Sequence, residues 1–269
     1  MWYSPDNFFD LERMSDTPAA AIFNDLTYVW EVLDHLEPFI RRRIKPNVAP
    51  LRACGVMVMA PAAIDAEGAV HHGVTYELGD PAKGGLKIFR HGRLLSEAAL
   101  IMPGVVLADD DIEIGAGALV ESGAMIKGPT IIGPYSEVRQ TAYVRGVVMS
   151  SPGAVIGHAT EAKNALLLAG AKAGHFAYLG DSVLGREVNL GAGAKLANLK
   201  MNDSPYVFRF EGQRFTVKRR KFGAIIGDYT EIGCNAVANP GTLLGRAIRV
   251  MPNAALAPGY RSGGSFLNG

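Results

Sequence analysis

The sequence predicts an all-β coil, a parallel β-helix built from six-residue steps, and three observations carry that reading. Every sixth residue from Ile114 is Ile114, Val120, Ile126, Ile132, Val138, Val144, Ser150, Ile156, Ala162 and Leu168, and eight of these ten are branched aliphatics. A second run in the same step is Ile226, Ile232, Ala238, Leu244, Val250 and Leu256. Glycine is abundant, at 32 of 269 residues, and follows the keyed position at Gly115, Gly133, Gly157, Gly227, Gly233 and Gly245. A six-residue period matches neither a helix, with about 3.6 residues per turn, nor a meander of long strands. It matches a short strand plus a corner, and three such units close a coil of about 18 residues whose strands stack in parallel around an aliphatic interior. A glycine-rich β-sandwich would instead need regularly spaced Asn-Gly hairpin turns, and none is present.

Taken in order, residues 1–46 form a helical segment. Over 18–45, Ile22, Leu26, Val29, Trp30, Leu33, Leu36 and Ile40 fall at helical spacing, and Arg41, Arg42 and Arg43 suit the negative pole at the helix end. Residues 47–100 read as strands and turns of unassigned topology. Residues 101–257 form the coil, interrupted by an insertion at 199–224 that lacks the six-residue step and reads as a protruding hairpin or loop. Residues 258–269 form a tail. The step is imperfect between Leu168 and Leu184, which are sixteen residues apart, so two positions are skipped there. Such breaks often sit beside active sites.

Composition narrows the function. With 27 Lys and Arg against 26 Asp and Glu, the formal charge is +1, without the clustered basic excess of a nucleic-acid or anionic-membrane binder. The opening Met-Trp-Tyr-Ser-Pro-Asp shows no basic segment followed by an apolar stretch, so no signal peptide is expected, and the longest apolar run is too short to span a bilayer, so the expected location is the cytoplasm. Cys54 and Cys234, with no C-x-x-C, fit a reducing compartment. Walker, H-E-x-x-H, G-x-S-x-G and Rossmann motifs are absent. Of six histidines only His158 and His175 fall in the repeat, too few for a catalytic zinc, and no metal is expected.

The period places Arg145 and Lys163 on adjacent rungs. Stacked like charges repel unless an anion lies between them, and both side chains favour phosphate oxygens; two solvated side chains splaying apart are the alternative. His175 lies in the register break with Glu161 and Lys163 on the preceding coil and Tyr178, Asn189 and Asn198 close behind. A histidine oriented by a carboxylate can serve as a general base, although a lone histidine can equally be structural.

The segment TEAKNALLLAGAKAGHFAYLGDSVLGREVNLGAG resembles the acetyltransferase domain of the bifunctional N-acetylglucosamine-1-phosphate uridylyltransferase and glucosamine-1-phosphate N-acetyltransferase family. Its signature is Lys-Ala-Gly/Pro-His followed by Tyr-x-Gly-Asp and Asn-x-Gly-Ala-Gly. The likeness extends over about residues 102–257, and RRKFGAIIGD is similar to a segment of archaeal-type relatives. The resemblance implies a left-handed parallel β-helix and an acetyl-CoA-dependent N-acetyltransferase of an amino-sugar 1-phosphate, glucosamine 1-phosphate first and galactosamine 1-phosphate as another acceptor. By the same resemblance His175 is the catalytic base and Glu161 orients it. Arg145, Lys163, Tyr178 and Lys221 hold the sugar phosphate, and Asn189 and Asn198 face the amine and the acetyl group. Ala192 offers its N–H to the thioester, and Cys234 faces coenzyme A. The family is trimeric, so a homotrimer is expected, with Asn198 or Lys221 reaching a neighbour's site. Residues 1–100 contain no Gly-rich nucleotide loop, so no uridylyltransferase activity is expected. The family's long C-terminal arm is also missing. A non-catalytic sugar-phosphate-binding or regulatory coil, related to nucleotidyltransferases, is the alternative function.

Overall fold

A computed structural model describes residues 1–14, 17–53 and 55–268, the side chain of Phe210 excepted; Cys54 lies outside the described residues. The predicted parallel β-helix is present. Short strands stack into three faces. The first runs from Ala99–Ile101 through Val155–His158 and Lys172–His175 to Phe266–Leu267. The second runs from Val106–Leu107 through Tyr143–Val144 to Ala255–Leu256. The third runs from Ile112–Ile114 to Gly259–Arg261.

The six-step aliphatics point inward, as the period requires. Ile114, Val120, Ile126, Ile132, Val138, Val144 and Ile156 are all buried in one core, as are Ile226 to Leu256 of the second run. Ser150, the polar member, is also inside, where its Oγ accepts the Gly133 N–H at 2.9 Å and donates to Ser136 at 3.3 Å.

The register break differs in detail from the expectation. Tyr143 pairs with Glu161, a step of eighteen, but Val148 pairs with Ala165 and Ala165 with Ser182, steps of seventeen. Two single-residue deletions therefore occur, both at the corner between the second and third faces. There the seven-residue strands Glu161–Leu167 and Tyr178–Leu184 run straight across. Asn164 and Asp181 make the shortened turns with φ of 45° and 46°, a left-handed conformation that Asn and Asp tolerate better than most side chains. As a result Leu167, not Leu168, enters the coil interior, while Leu168 packs in the outer aromatic cluster.

The outer third face is apolar, and the N-terminal segment covers it. Ile131, Met149, Leu166, Val183, Ile225 and Leu243 are buried against Phe8, Phe9, Phe23, Trp30, Leu36 and Ile40. At about 1.5–3 kcal/mol per fully buried large side chain, these six sheath residues contribute at most roughly 9–18 kcal/mol. Only Val32–Arg43 of the expected 18–45 helix is α-helical, preceded by single 3-10 turns. The left-handed Asp25, at φ 66°, breaks the earlier pattern, because the apolar residues there follow the coil surface. The sheath is pinned by polar contacts. The buried Asp228 carboxylate accepts the N–H groups of Asp10 and Arg186 at 2.8 and 2.7 Å, and the guanidinium of Arg246 donates to the Phe9 carbonyl.

Val48, Leu51 and Val58 plug the first coil from its open end, and Ala62–Ile64 adds an antiparallel strand to the first face. The insertion forms the hairpin Tyr206–Phe210 and Gln213–Val217. It does not protrude: Phe208 lies 5.2 Å from Trp30 and Phe215 lies 5.4 Å from Trp2, centroid to centroid, with Tyr206 and Phe208 buried in the sheath and Phe215 partly buried against it. Residues 258–269 are not a tail either. Gly259–Arg261 and Phe266–Leu267 extend the third and first faces by another rung.

Candidate active site

The coil distributes the predicted site residues to two places on either side of the second face. His175, Asn189, Ala192 and Cys234 line one groove of about 700 Å³ on the first face. Asp80, with Ala82 and Lys83 of the turn Pro81–Lys83, also lines it, as do Tyr135 and Arg139 of an earlier rung. The residues come together because Lys172–His175, Asn189–Leu190 and Glu231–Ile232 are consecutive rungs, which brings residues up to 59 positions apart within about two rung spacings of 4.8 Å. Cys234 is an exposed free thiol. Lys172 also lines the groove, and among the described residues it has no ion-pair partner.

The second place is the shortened corner. Arg145 donates to Glu161 at 2.6 Å, and Lys163 lies 3.8 Å from Asp181. Hydrogen bonding to Glu161 raises the Arg145 pKa further above its ordinary value, so this guanidinium stays charged. The Asp181 carboxylate, only 4% exposed, also accepts from Asn164 at 2.8 Å and from Asn198 at 2.6 Å. The Asn198 carbonyl in turn accepts from the Tyr178 hydroxyl at 3.3 Å. Burial, followed by the Glu161 and Asp181 charges, pushes the Tyr178 phenol up, so it remains a neutral donor. Gly180 makes this arrangement possible: a Cβ there would meet Asn198 Nδ2 at 2.5 Å and the Tyr178 hydroxyl at 2.7 Å.

Several expected relations are therefore different within one chain. Arg145 and Lys163 do lie on adjacent rungs, as the Arg145 N–H to Ala162 carbonyl bond of 2.8 Å shows, but each is paired with a carboxylate on the next coil. Glu161, expected to orient His175, is held by Arg145 instead. The His175 Nδ1 lies 3.2 Å from His158 Nε2. Asn189 and Asn198 are nine residues apart, half a coil, so that Asn189 stands on the first face and lines the groove while Asn198 lies past the second face at the Asp181 corner. Lys221 is exposed at the end of the insertion. Its neighbours in the basic run are engaged, Arg219 with Asp34 of the N-terminal helix and Arg220 with Asp203 at 2.7 Å. Lys163 opens onto a depression shared with Asp34, Glu37 and Arg41. The groove lined by His175 does not include Lys163 or Lys221. The sequence reading left out Asp181 and His158. Asp181 stood in view in the Gly-Asp of the signature, whereas His158 needed the seventeen-residue rung.

The architecture defines a hexapeptide-type β-helix with a polar groove on one face and a hydrogen-bonded acidic corner at the next. No family model matches the chain. A bifunctional sugar-1-phosphate nucleotidylyltransferase/acetyltransferase from Sulfurisphaera tokodaii is 35% identical over 153 residues, 57% of this chain and 37% of that protein. Bifunctional protein GlmU from Methanococcus vannielii is 33% identical over 105 residues, 39% of this chain and 25% of that protein. These relatives are bifunctional proteins of the type that the signature resembles, matched in their C-terminal part, and the chain spans little more than a third of the longer match. Among solved structures, perosamine N-acetyltransferase from Caulobacter crescentus with CoA and GDP-perosamine is 15% identical, with a TM-score of 0.28, covering 57% of this chain and 52% of that one. The acetyltransferase domain of PglB from Neisseria gonorrhoeae with acetyl coenzyme A is 15% identical, with a TM-score of 0.29, covering 62% and 53%. At those TM-scores the solved structures bear on neither fold nor function. Among the described residues no helix is long and apolar enough to cross a membrane, and no group of three or more His, Cys, Asp or Glu could hold a metal.

Proposed function

We propose that the chain is an acetyl-CoA-dependent N-acetyltransferase of an amino-sugar 1-phosphate, with glucosamine 1-phosphate as the first acceptor to test. The observation that carries this reading is the convergence of His175, Asn189, Ala192 and Cys234 in one groove. These are the positions that the resemblance assigns to the base, the substrate amine and the acyl donor. The name of the Sulfurisphaera tokodaii relative, a sugar-1-phosphate nucleotidylyltransferase/acetyltransferase, is consistent with this chemistry.

In this mechanism His175 Nε2 takes a proton from the attacking amine, a role worth about 10²–10⁴ in rate. The nitrogen bonds to the thioester carbonyl carbon, the carbon–sulfur bond breaks, and His175 returns the proton to the departing thiolate. Backbone N–H groups such as that of Ala192 stabilise the oxyanion, and Lys172 is the free cation of the groove for an anionic donor. Arg145, Lys163, Tyr178 and Lys221 orient the acceptor phosphate. Because that set lies across the second face from the groove, the complete site forms between subunits of a homotrimer, the corner of one facing the groove of the next.

Thiol release from acetyl-CoA on addition of glucosamine 1-phosphate tests the reaction. The expected result is release in the wild type and its loss in His175→Ala. No release with any amino-sugar 1-phosphate, or an undiminished rate in His175→Ala, would overturn it. Calorimetry that shows sugar-phosphate binding without acetyl-CoA binding would favour the non-catalytic reading.

A further inference from the structure

The proposed base is paired with a second imidazole. His158 and His175 end consecutive strands of the first face and are direct register partners. His175 Nδ1 lies 3.2 Å from His158 Nε2, and the rings meet edge to face with centroids 4.6 Å apart and planes at 71°. This juxtaposition follows from the shortened corner. On an eighteen-residue coil His175 would stack on Gly157; the deletion at Asn164 makes the step seventeen and sets it on His158.

The local sequence keeps the pair in place. Gly157 leaves room for the next coil, since a Cβ there would lie 1.9 Å from the Gly174 carbonyl oxygen. After His175 the chain turns at Phe176 with φ 35°, and the Phe176 ring lies over Gly193, whose missing Cβ would meet it at 2.8 Å. The imidazole of His175 is thus held by the rung pairing of its own strand and by the turn that follows it. Its Nε2 has no protein partner among the described residues, while the residue itself lines the groove.

An imidazole that is to accept a proton at Nε2 must carry its own proton at Nδ1, and the partner of Nδ1 decides which tautomer is populated. We propose that His158 is the positioning residue of His175: its Nε2 accepts the Nδ1–H bond and leaves Nε2 of His175 free as the base. The inference rests on the N-acetyltransferase reading for its catalytic consequence. When His175 takes the amine proton it becomes an imidazolium, and the bond to His158 is then charge-assisted and stronger. Returning the proton to the thiolate restores the neutral pair, so His158 gains and loses no proton overall. Glu161 is already engaged by Arg145 and takes no part in fixing the tautomer.

The test combines spectroscopy with kinetics. Long-range ¹⁵N–¹H correlation on ¹⁵N-histidine-labelled protein reads the tautomer of His175 directly, whether or not the protein is catalytically active. The wild type is expected to show Nδ1 protonated and Nε2 bare near neutral pH. His158→Leu, which removes the acceptor, is expected to move His175 toward a mixture of tautomers. It should also lower kcat by about 10- to 100-fold, within the range of general-base catalysis, at nearly constant KM. His158→Gln, which keeps an acceptor at similar reach, should restore both. Glu161→Gln should leave the tautomer as in the wild type. An unchanged His175 tautomer in His158→Leu overturns the proposal. So does a loss of kcat that His158→Gln fails to restore. If the wild type transfers no acetyl group, the spectrum still decides the pairing, and the failure belongs to the functional reading alone.

Discussion

Asp181→Asn is the most informative single change at the corner. The wild-type carboxylate accepts two amide donors, Asn164 on one oxygen at 2.8 Å and Asn198 on the other at 2.6 Å, with Lys163 at 3.8 Å. It is 4% exposed, so water cannot replace a lost partner. Asparagine has the same shape and tolerates the left-handed backbone at φ 46°, which leaves the hydrogen bonds as the variable. One of its two terminal atoms is a donor, so one neighbouring amide must face an N–H instead of an oxygen. A hydrogen bond to a charged acceptor contributes about 1.5–3 kcal/mol; losing one, together with a half-buried ion pair of about 0–1 kcal/mol, gives a loss of roughly 1.5–4 kcal/mol. At about 2–4 °C per kcal/mol for a chain of this size, the midpoint should fall by roughly 3–16 °C. Calorimetry at matched protein concentration measures it, and the KM for the sugar phosphate should rise as Asn198 loses its anchor. A midpoint within 1 °C of the wild type would refute the role given to Asp181.

Gly180→Ala should preserve the fold, since the atoms nearest the new methyl are side-chain atoms of Asn198 and Tyr178 and not backbone, yet raise acceptor KM several-fold by displacing them; unchanged steady-state kinetics would count against the corner as part of the site. If the site lies between subunits, mixing inactive His175→Ala and inactive Lys163→Ala proteins after dissociation should regain part of the activity. Mixtures as inactive as their parents would put both residues in one protomer or outside the site. Burial raises the folded pKa of Asp228 above its ordinary 3.8, so the folded state binds that proton more tightly than the unfolded one. Stability should therefore rise as pH falls through the folded value toward 3.8, and Asp228→Ala melts across that window should lack this gain. The reverse holds for Asp65, lowered chiefly by its hydrogen bond to His71. That pair stabilises the fold above 3.8 and loses its effect as pH drops through the lower folded value, which His71→Phe melts should reveal as a smaller acid dependence.

The coil was legible because its signal is local and repeated. An inward aliphatic at every sixth position is a packing requirement that each rung states again, so Ser150 and Ala162 could depart from it without hiding the period. The sheath was illegible for the opposite reason. Trp2, Phe8, Phe9 and Phe23 follow no period of their own, because their spacing answers to the outward residues of a distant face, Ile131, Met149, Leu166 and Leu243. The groove residues His175, Asn189, Ala192 and Cys234 could be chosen from the motif, but a motif does not say which edge of the coil each occupies. Half a coil separates Asn189 from Asn198, and only the register reveals that they look in different directions.

The shortened corners tie these points together. A strict eighteen-residue repeat would set Asp181 opposite Lys163 and not Asn164, Asn198 opposite Gly180 and not Asp181, and His175 opposite Gly157 and not His158. Removing one residue at Asn164 and one at Asp181 shifts three consecutive rungs together. It brings the amides onto the buried carboxylate and one imidazole onto the other, and it puts Leu167, Ala171, Ala173 and Leu179 at the inward positions, where a strict step would put Leu168, Lys172, Gly174 and Gly180. The cost is two left-handed residues, placed where Asn and Asp make that conformation least expensive. A register shift that keeps the core apolar and rearranges the outward polar groups of both edges is therefore the feature of this coil most directly coupled to its proposed chemistry.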